Sequence, residues 1–113
     1  KLQHPSKSLE SMEEEWYKNE KLVEVWLQDN KLEQLSPSIE NWKNLELFYI
    51  TNNQLQTIPD EVSSWILLEE VNFSGNKITS IPHSVGAWEK LKQAYFNDLP
   101  LESTLPKTIE NWK

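Results

Sequence analysis

The chain has 113 residues, no cysteine and only two glycines, so the sequence predicts one domain held by packing and excludes a disulfide framework, a Cys-containing zinc site and a long flexible linker. Eighteen acidic against eleven basic residues give a formal charge of −7, which repels phosphate backbones and anionic lipid and argues against nucleic acid as a partner. No stretch approaches the roughly 20 apolar residues that span a bilayer, and no charged-then-apolar signal segment opens the sequence.

The chain repeats itself. Trp42, Trp65 and Trp88 are spaced by 23 residues, as are Ile39, Val62 and Val85, and Leu32, Leu55, Ile78 and Leu101; Trp112 and Ile109 follow their predecessors after 24. A self-similar period of this length signals a solenoid, because one unit cannot bury its apolar face alone and must stack on its neighbours. At the start of the chain the register is irregular: stepping back by 23 places Leu9 and Met12 correctly, but puts Trp16 on the Ile position and Asn19 on the Trp position. A slipped repeat and a partial cap are both open there.

Four units follow, each with an eleven-residue piece: LVEVWLQDNKL from Leu22, LELFYITNNQL from Leu45, LEEVNFSGNKI from Leu68 and LKQAYFNDLPL from Leu91. Apolar residues at its first, fourth, sixth and eleventh positions give the alternation of a half-buried strand, with Val25 and Leu27, Phe48 and Ile50, Val71 and Phe73, Ala94 and Phe96 inward. One short strand per unit is predicted. The ninth position is Asn30, Asn53 and Asn76, an amide suited to turning the chain out of the strand while satisfying backbone groups of the neighbouring loop. In the fourth unit Leu99 and Pro100 stand at that place, so the backbone there must be satisfied differently. In the second half of the last three units Pro59, Pro82 and Pro106 stand directly after an apolar residue, which predicts a short helical or 3₁₀ turn and not a long helix.

The pattern LxxLxLxxNxL followed by LPxxIxxLxxL resembles the leucine-rich repeat family over nearly the whole chain. The 23-residue unit is similar to the group that includes intracellular Ras-interacting scaffold proteins and many bacterial repeat proteins, whereas the last, 24-residue unit is similar to the longer plant-type spacing. The resemblance implies an α/β fold: a right-handed horseshoe solenoid with short parallel strands on its concave face and short helical or 3₁₀ turns on its convex face. Residues 1–113 are expected to form a single domain of about four and a half repeats, belonging to a longer array.

Residues between the inward positions of each strand must face the other way, onto what the resemblance implies is the concave side. They are Trp26, Tyr49, Asn72 and Tyr95, flanked by Glu24, Leu47, Glu70 and Gln93 on one side and by Gln28, Thr51, Ser74 and Asn97 on the other. Outward Trp26 and Tyr49 have no core reason to be aromatic, and aromatics with a polar tip are typical interface anchors. The plainer reading is that aromatics favour strands and pair across them for about 0.2–1 kcal/mol.

Trp42, Trp65, Trp88 and Trp112 are expected instead to stack inside the solenoid with the indole N–H at its rim, because they fall on a core leucine of the family pattern. Glu13, Glu14 and Glu15 read as a solvated face. His4 and His83 have no ligand partner at metal-site spacing, and the sequon at Asn72 lies in a predicted strand. No catalytic motif and no cofactor motif is present. The expected function is recognition of another protein on the concave face, with the acidic neighbours favouring a basic patch. A targeting or regulatory segment of a larger enzyme, such as a kinase or ubiquitin ligase, is the alternative, and a purely structural role is the third.

Overall fold

The computed structural model describes residues 1–102, so the expectations placed on Pro106, Ile109 and Trp112 lie outside the described residues. Five short strands, β1 (Leu2–Gln3), β2 (Glu24–Trp26), β3 (Leu47–Tyr49), β4 (Glu70–Asn72) and β5 (Gln93–Tyr95), form one sheet in sequence order. All are parallel, and Leu2 pairs with Val25, Val25 with Phe48, Phe48 with Val71 and Val71 with Ala94. Each pairing is one period, so the sheet register is the repeat itself.

Inward strand residues Val25, Leu27, Phe48, Ile50, Val71 and Phe73 are fully buried. They meet the back of each unit, where short turns run over Pro37–Asn41, Asp60–Ser64 and His83–Ala87, all 3₁₀. Pro37 opens the first of these turns, and Pro59 and Pro82 cap the other two, positions where a missing N–H costs no helical bond. Ile39, Val62 and Val85 point from these turns into the core.

The irregular first unit is a repeat in register. Its strand β1 lies one period before β2, and a single α-helical turn, α1 (Glu14–Lys18), takes the place of the 3₁₀ turn. Tyr17 is the residue it buries, stacked on Trp42 at 5.7 Å between ring centres, while Trp16 lies half-exposed against His4 at 4.7 Å. Slippage is therefore confined to the back of the unit, where one helical residue replaces another as the inward contact.

The tryptophans stack as expected: Trp42 lies 6.2 Å from Trp65, and Trp65 lies 6.1 Å from Trp88 with the rings 9° from parallel. The expectation of an indole N–H at the rim is corrected. Nε1 of Trp65 donates to the Ile39 carbonyl at 3.0 Å and Nε1 of Trp88 to the Val62 carbonyl at 2.9 Å, both inside the protein. Trp42 repeats the bond to the Trp16 carbonyl at 3.0 Å. Full burial of an indole demands such a partner, because an unpaired buried donor costs about 1–3 kcal/mol.

Asn30, Asn53 and Asn76 form the expected ladder. Asn53 donates to the carbonyls of Leu27 (3.0 Å) and Ile50 (3.1 Å), and its oxygen accepts the Leu32 N–H at 3.0 Å. Asn76 does the same one repeat later with Ile50, Phe73 and Leu55, and Asn30 one repeat earlier with His4, Leu27 and Leu9. Just after each asparagine a backbone rung joins the repeats: Lys31 to Leu9, Gln54 to Leu32 and Lys77 to Leu55. Pro100 occupies the next such position and has no N–H to give, so the fourth unit lacks both the amide and this rung. The ladder resumes at Glu102, whose N–H reaches the Thr79 carbonyl at 2.8 Å.

A further column was not anticipated. Ser6, Asp29, Asn52, Gly75 and Asp98, each one period apart, all have φ between 53° and 73°. This left-handed step reverses the chain before the asparagine, and Asp, Asn and Gly are the residues that tolerate it best. At Gly75 a Cβ would lie 2.2 Å from Asn52 Oδ1, so the absence of a side chain there also makes room for the amide that bridges to Asp29.

Candidate functional site

Pairing across the sheet places Gln3, Trp26, Tyr49, Asn72 and Tyr95 in one row on the face turned away from the core. β1 extends this row by one residue beyond the sequence expectation. Glu24, Leu47, Glu70 and Gln93 form the parallel row on one side. Gln28, Thr51 and Ser74 flank the other side, half-buried, with Asn97 exposed. Trp26, Tyr49 and Asn72 are likewise half-buried, and Tyr95 is exposed.

The aromatic rings are held in fixed poses. Trp26 stacks on Tyr49 at 4.8 Å between centres and 29° from parallel, and Trp26 Nε1 donates to Glu24 Oε1 at 3.0 Å. The Tyr49 hydroxyl donates to Glu70 Oε2, and the Tyr95 hydroxyl to Gln93 Oε1 at 3.0 Å. Each aromatic is therefore tied by its polar tip to the neighbouring row. Alternation alone placed these side chains on one face; the tethers depend on side-chain rotamers, which no sequence pattern records.

Removal from water, then the bond to Glu70, and then the charge of that carboxylate hold the Tyr49 hydroxyl well above the usual tyrosine range. In the unfolded chain the same phenol ionises near pH 10. Folding therefore favours the protonated form: the contribution is intact below about pH 10 and is lost as pH climbs through the higher native value. Absorbance titration of the folded protein at 295 nm should show a tyrosine still protonated well above pH 10, and Glu70→Gln should bring its ionisation down. An unchanged titration in the variant would rule out Glu70 as a cause.

A second feature borders the row. A cleft of about 150 Å³ is lined by Val23, Glu24, Glu46, Leu47, Glu69 and Glu70, placing four carboxylates around an aliphatic floor. Glu46 and Glu69, absent from the sequence-level candidates, occupy equivalent positions in successive repeats. Lys1 reaches Glu24 at 3.9 Å and Lys92 reaches Glu69 at 3.0 Å. A larger groove of about 790 Å³ lies between α1 and the descending segments after Leu32 and Leu55, lined mainly by polar side chains such as Glu10, Glu14, Gln34 and Gln56. Its apolar members Met12, Tyr17 and Leu35 are already buried in the core, which leaves few anchors for a ligand. Among the described residues no group of three or more potential ligands is placed to hold a metal ion, and no helix is long and apolar enough to cross a membrane.

A family model described as Leucine Rich Repeat matches residues 44–65 and 67–88, two consecutive units of the period. Those two units are leucine-rich repeats, and the described residues have the leucine-rich repeat solenoid fold. A solved leucine-rich repeat protein of Leptospira interrogans superposes on 88% of this chain with a TM-score of 0.84 and 29% identity. This chain spans only 25% of that protein's length. Comparison with curated protein sequences returns no match. Leucine-rich repeats are in general protein-interaction modules, typically scaffolds without catalytic activity.

Proposed function

We propose that this leucine-rich repeat segment binds another protein on the outward face of its sheet, with Trp26, Tyr49 and Tyr95 as anchors. Asn72 and Thr51 lie between and beside them, while Glu24, Leu47, Glu70 and Gln28 form the flanks. The observation that carries this reading is the Trp26–Tyr49 stack, two large aromatics outside the core whose polar tips are hydrogen-bonded to Glu24 and Glu70. Rings already held in place lose little rotamer freedom when a partner docks, so few contacts are needed for useful affinity. The acidic flank and the formal charge of −7 favour a partner surface that is basic.

The test is capture of a partner by the wild-type chain and by a Trp26→Ser, Tyr49→Ser double variant, once circular dichroism shows both folded. Capture by the wild type with at least a tenfold loss in the variant is expected. Equal capture by both would place binding on the back turns or edge loops and overturn the reading.

A further inference from the structure

The outward row is interrupted. Trp26 and Tyr49 stand on adjacent strands with their rings closed on each other at 4.8 Å, whereas Tyr49 and Tyr95 are separated by the short Asn72. Strands lie about 4.8 Å apart, so the two tyrosines are rooted about 9.6 Å from each other. A planar group against a ring needs about 3.5 Å on each face. The space over Asn72 thus admits a flat group, and the space between Trp26 and Tyr49 does not. Asn72 Oδ1 accepts the Ser74 N–H at 3.0 Å, which draws the side-chain amide toward its own strand exit.

The charge around this gap has one sign. Glu70 borders it, with Oε2 engaged by the Tyr49 hydroxyl, and also lines the adjoining acidic cleft with Glu24, Glu46 and Glu69. Like charges facing each other across a sheet are destabilising. Among the described residues, Lys92 answers Glu69 and Lys1 answers Glu24, but no cation lies within ion-pair distance of Glu46 or Glu70. A docked cation would relieve this.

Resting on the reading of this face as a protein-binding surface, we propose that the gap over Asn72 seats an arginine side chain carried by an extended segment of the partner. Its guanidinium lies against the Tyr49 ring and pairs with Glu70. Arginine fits better than lysine because the guanidinium is planar, stacks on aromatic faces, sheds water more readily and offers a fork of donors to a carboxylate. The five-strand row is about 19 Å long, and an extended chain rising about 3.3 Å per residue covers it with roughly six residues. Sheet backbone groups are already paired between strands, so the segment is held through its side chains.

The probe is the blocked peptide Gly-Ser-Arg-Ser-Gly, titrated into the isotope-labelled chain beside versions carrying lysine or uncharged citrulline. Saturable shifts at the Asn72 side-chain amide and the Tyr49 ring are expected with arginine, with a dissociation constant of about 1 mM. Lysine should bind at least fivefold more weakly and citrulline at least tenfold. Glu70→Gln should weaken the arginine peptide about tenfold. Asn72→Tyr, which places in β4 a residue that β3 and β5 already accommodate, should abolish binding while the fold is kept. Equal shifts with arginine and citrulline, wild-type binding by Asn72→Tyr, or no shift at Asn72 would each overturn the proposal. If the peptide fails but the Trp26→Ser, Tyr49→Ser variant still loses its partner, the arginine seat falls and the binding face stands; if partner capture is also unaffected, both fall.

Discussion

Trp65→Ala is expected to lower stability by about 3–5 kcal/mol, the usual cost of truncating a buried Trp or Phe. Trp65 has no solvent exposure; it lies between Trp42 and Trp88 and has Phe48 at 4.9 Å. Removing it separates three rings that now touch in sequence, and leaves the Ile39 carbonyl without its indole donor. A single domain of this size is stable by only about 5–15 kcal/mol, so the loss consumes a large share of the whole. In a solenoid stability is a sum of nearest-neighbour interfaces, and the damage should be centred on the junctions either side of Trp65. Thermal melting should show a fall of roughly 15–25 °C by the usual conversion for a domain of about 100 residues. Trp65→Phe keeps a ring in the stack and loses the bond, so it should cost only about 1–2 kcal/mol. Comparable losses for both substitutions would show that the hydrogen bond, and not the stack, dominates.

Asn53→Leu should also be damaging, by about 2–4 kcal/mol, although it keeps the volume. The substitution leaves the Leu32 N–H without its acceptor inside the protein and removes one of two amide donors from each of the Leu27 and Ile50 carbonyls, which keep Asn30 and Asn76. The buried N–H left unsatisfied costs about 1–3 kcal/mol, and the two lost carbonyl bonds add about 1 kcal/mol together, because each carbonyl still accepts from a neighbouring asparagine. The diagnostic measurement is hydrogen exchange at Leu32: its amide should be among the slow ones in the wild type and exchange near the rate of an exposed loop in the variant. Continued protection of Leu32 would mean that the loop finds another acceptor and that the ladder is not what closes it.

The comparison of these two positions shows what could be read without coordinates. Asn53 was legible because a polar residue recurring among apolar ones at a fixed step has to serve the backbone. Trp65 was legible as core but not in its bonding, since periodicity assigns a side chain to a face and says nothing of which carbonyl lies within reach. The first unit escaped for a related reason. Lys7 stands where an asparagine belongs and α1 rotates Tyr17 inward in place of the expected position, so the inward residue no longer falls at the periodic step. Pairing of Leu2 with Val25 depends on backbone register that two residues cannot signal. On the outward face the row of Trp26, Tyr49, Asn72 and Tyr95 followed from strict alternation. Glu46 and Glu69 did not, because they lie just before the strands, where the alternation has not yet begun. The left-handed column could have been found: the position before each ladder asparagine is Asp29, Asn52 or Gly75, and these residue types share a tolerance for positive φ.

The indole bonds also give the array a direction in time. In each, the later unit supplies the donor and the earlier unit the acceptor: Trp42 to Trp16, Trp65 to Ile39, Trp88 to Val62. A carbonyl with two lone pairs waits for a partner at less cost than a lone N–H does. As the chain leaves the ribosome, each of these three tryptophans emerges after the carbonyl it needs has already been laid down, so growth from the amino end gives each of the three indoles a destination in advance.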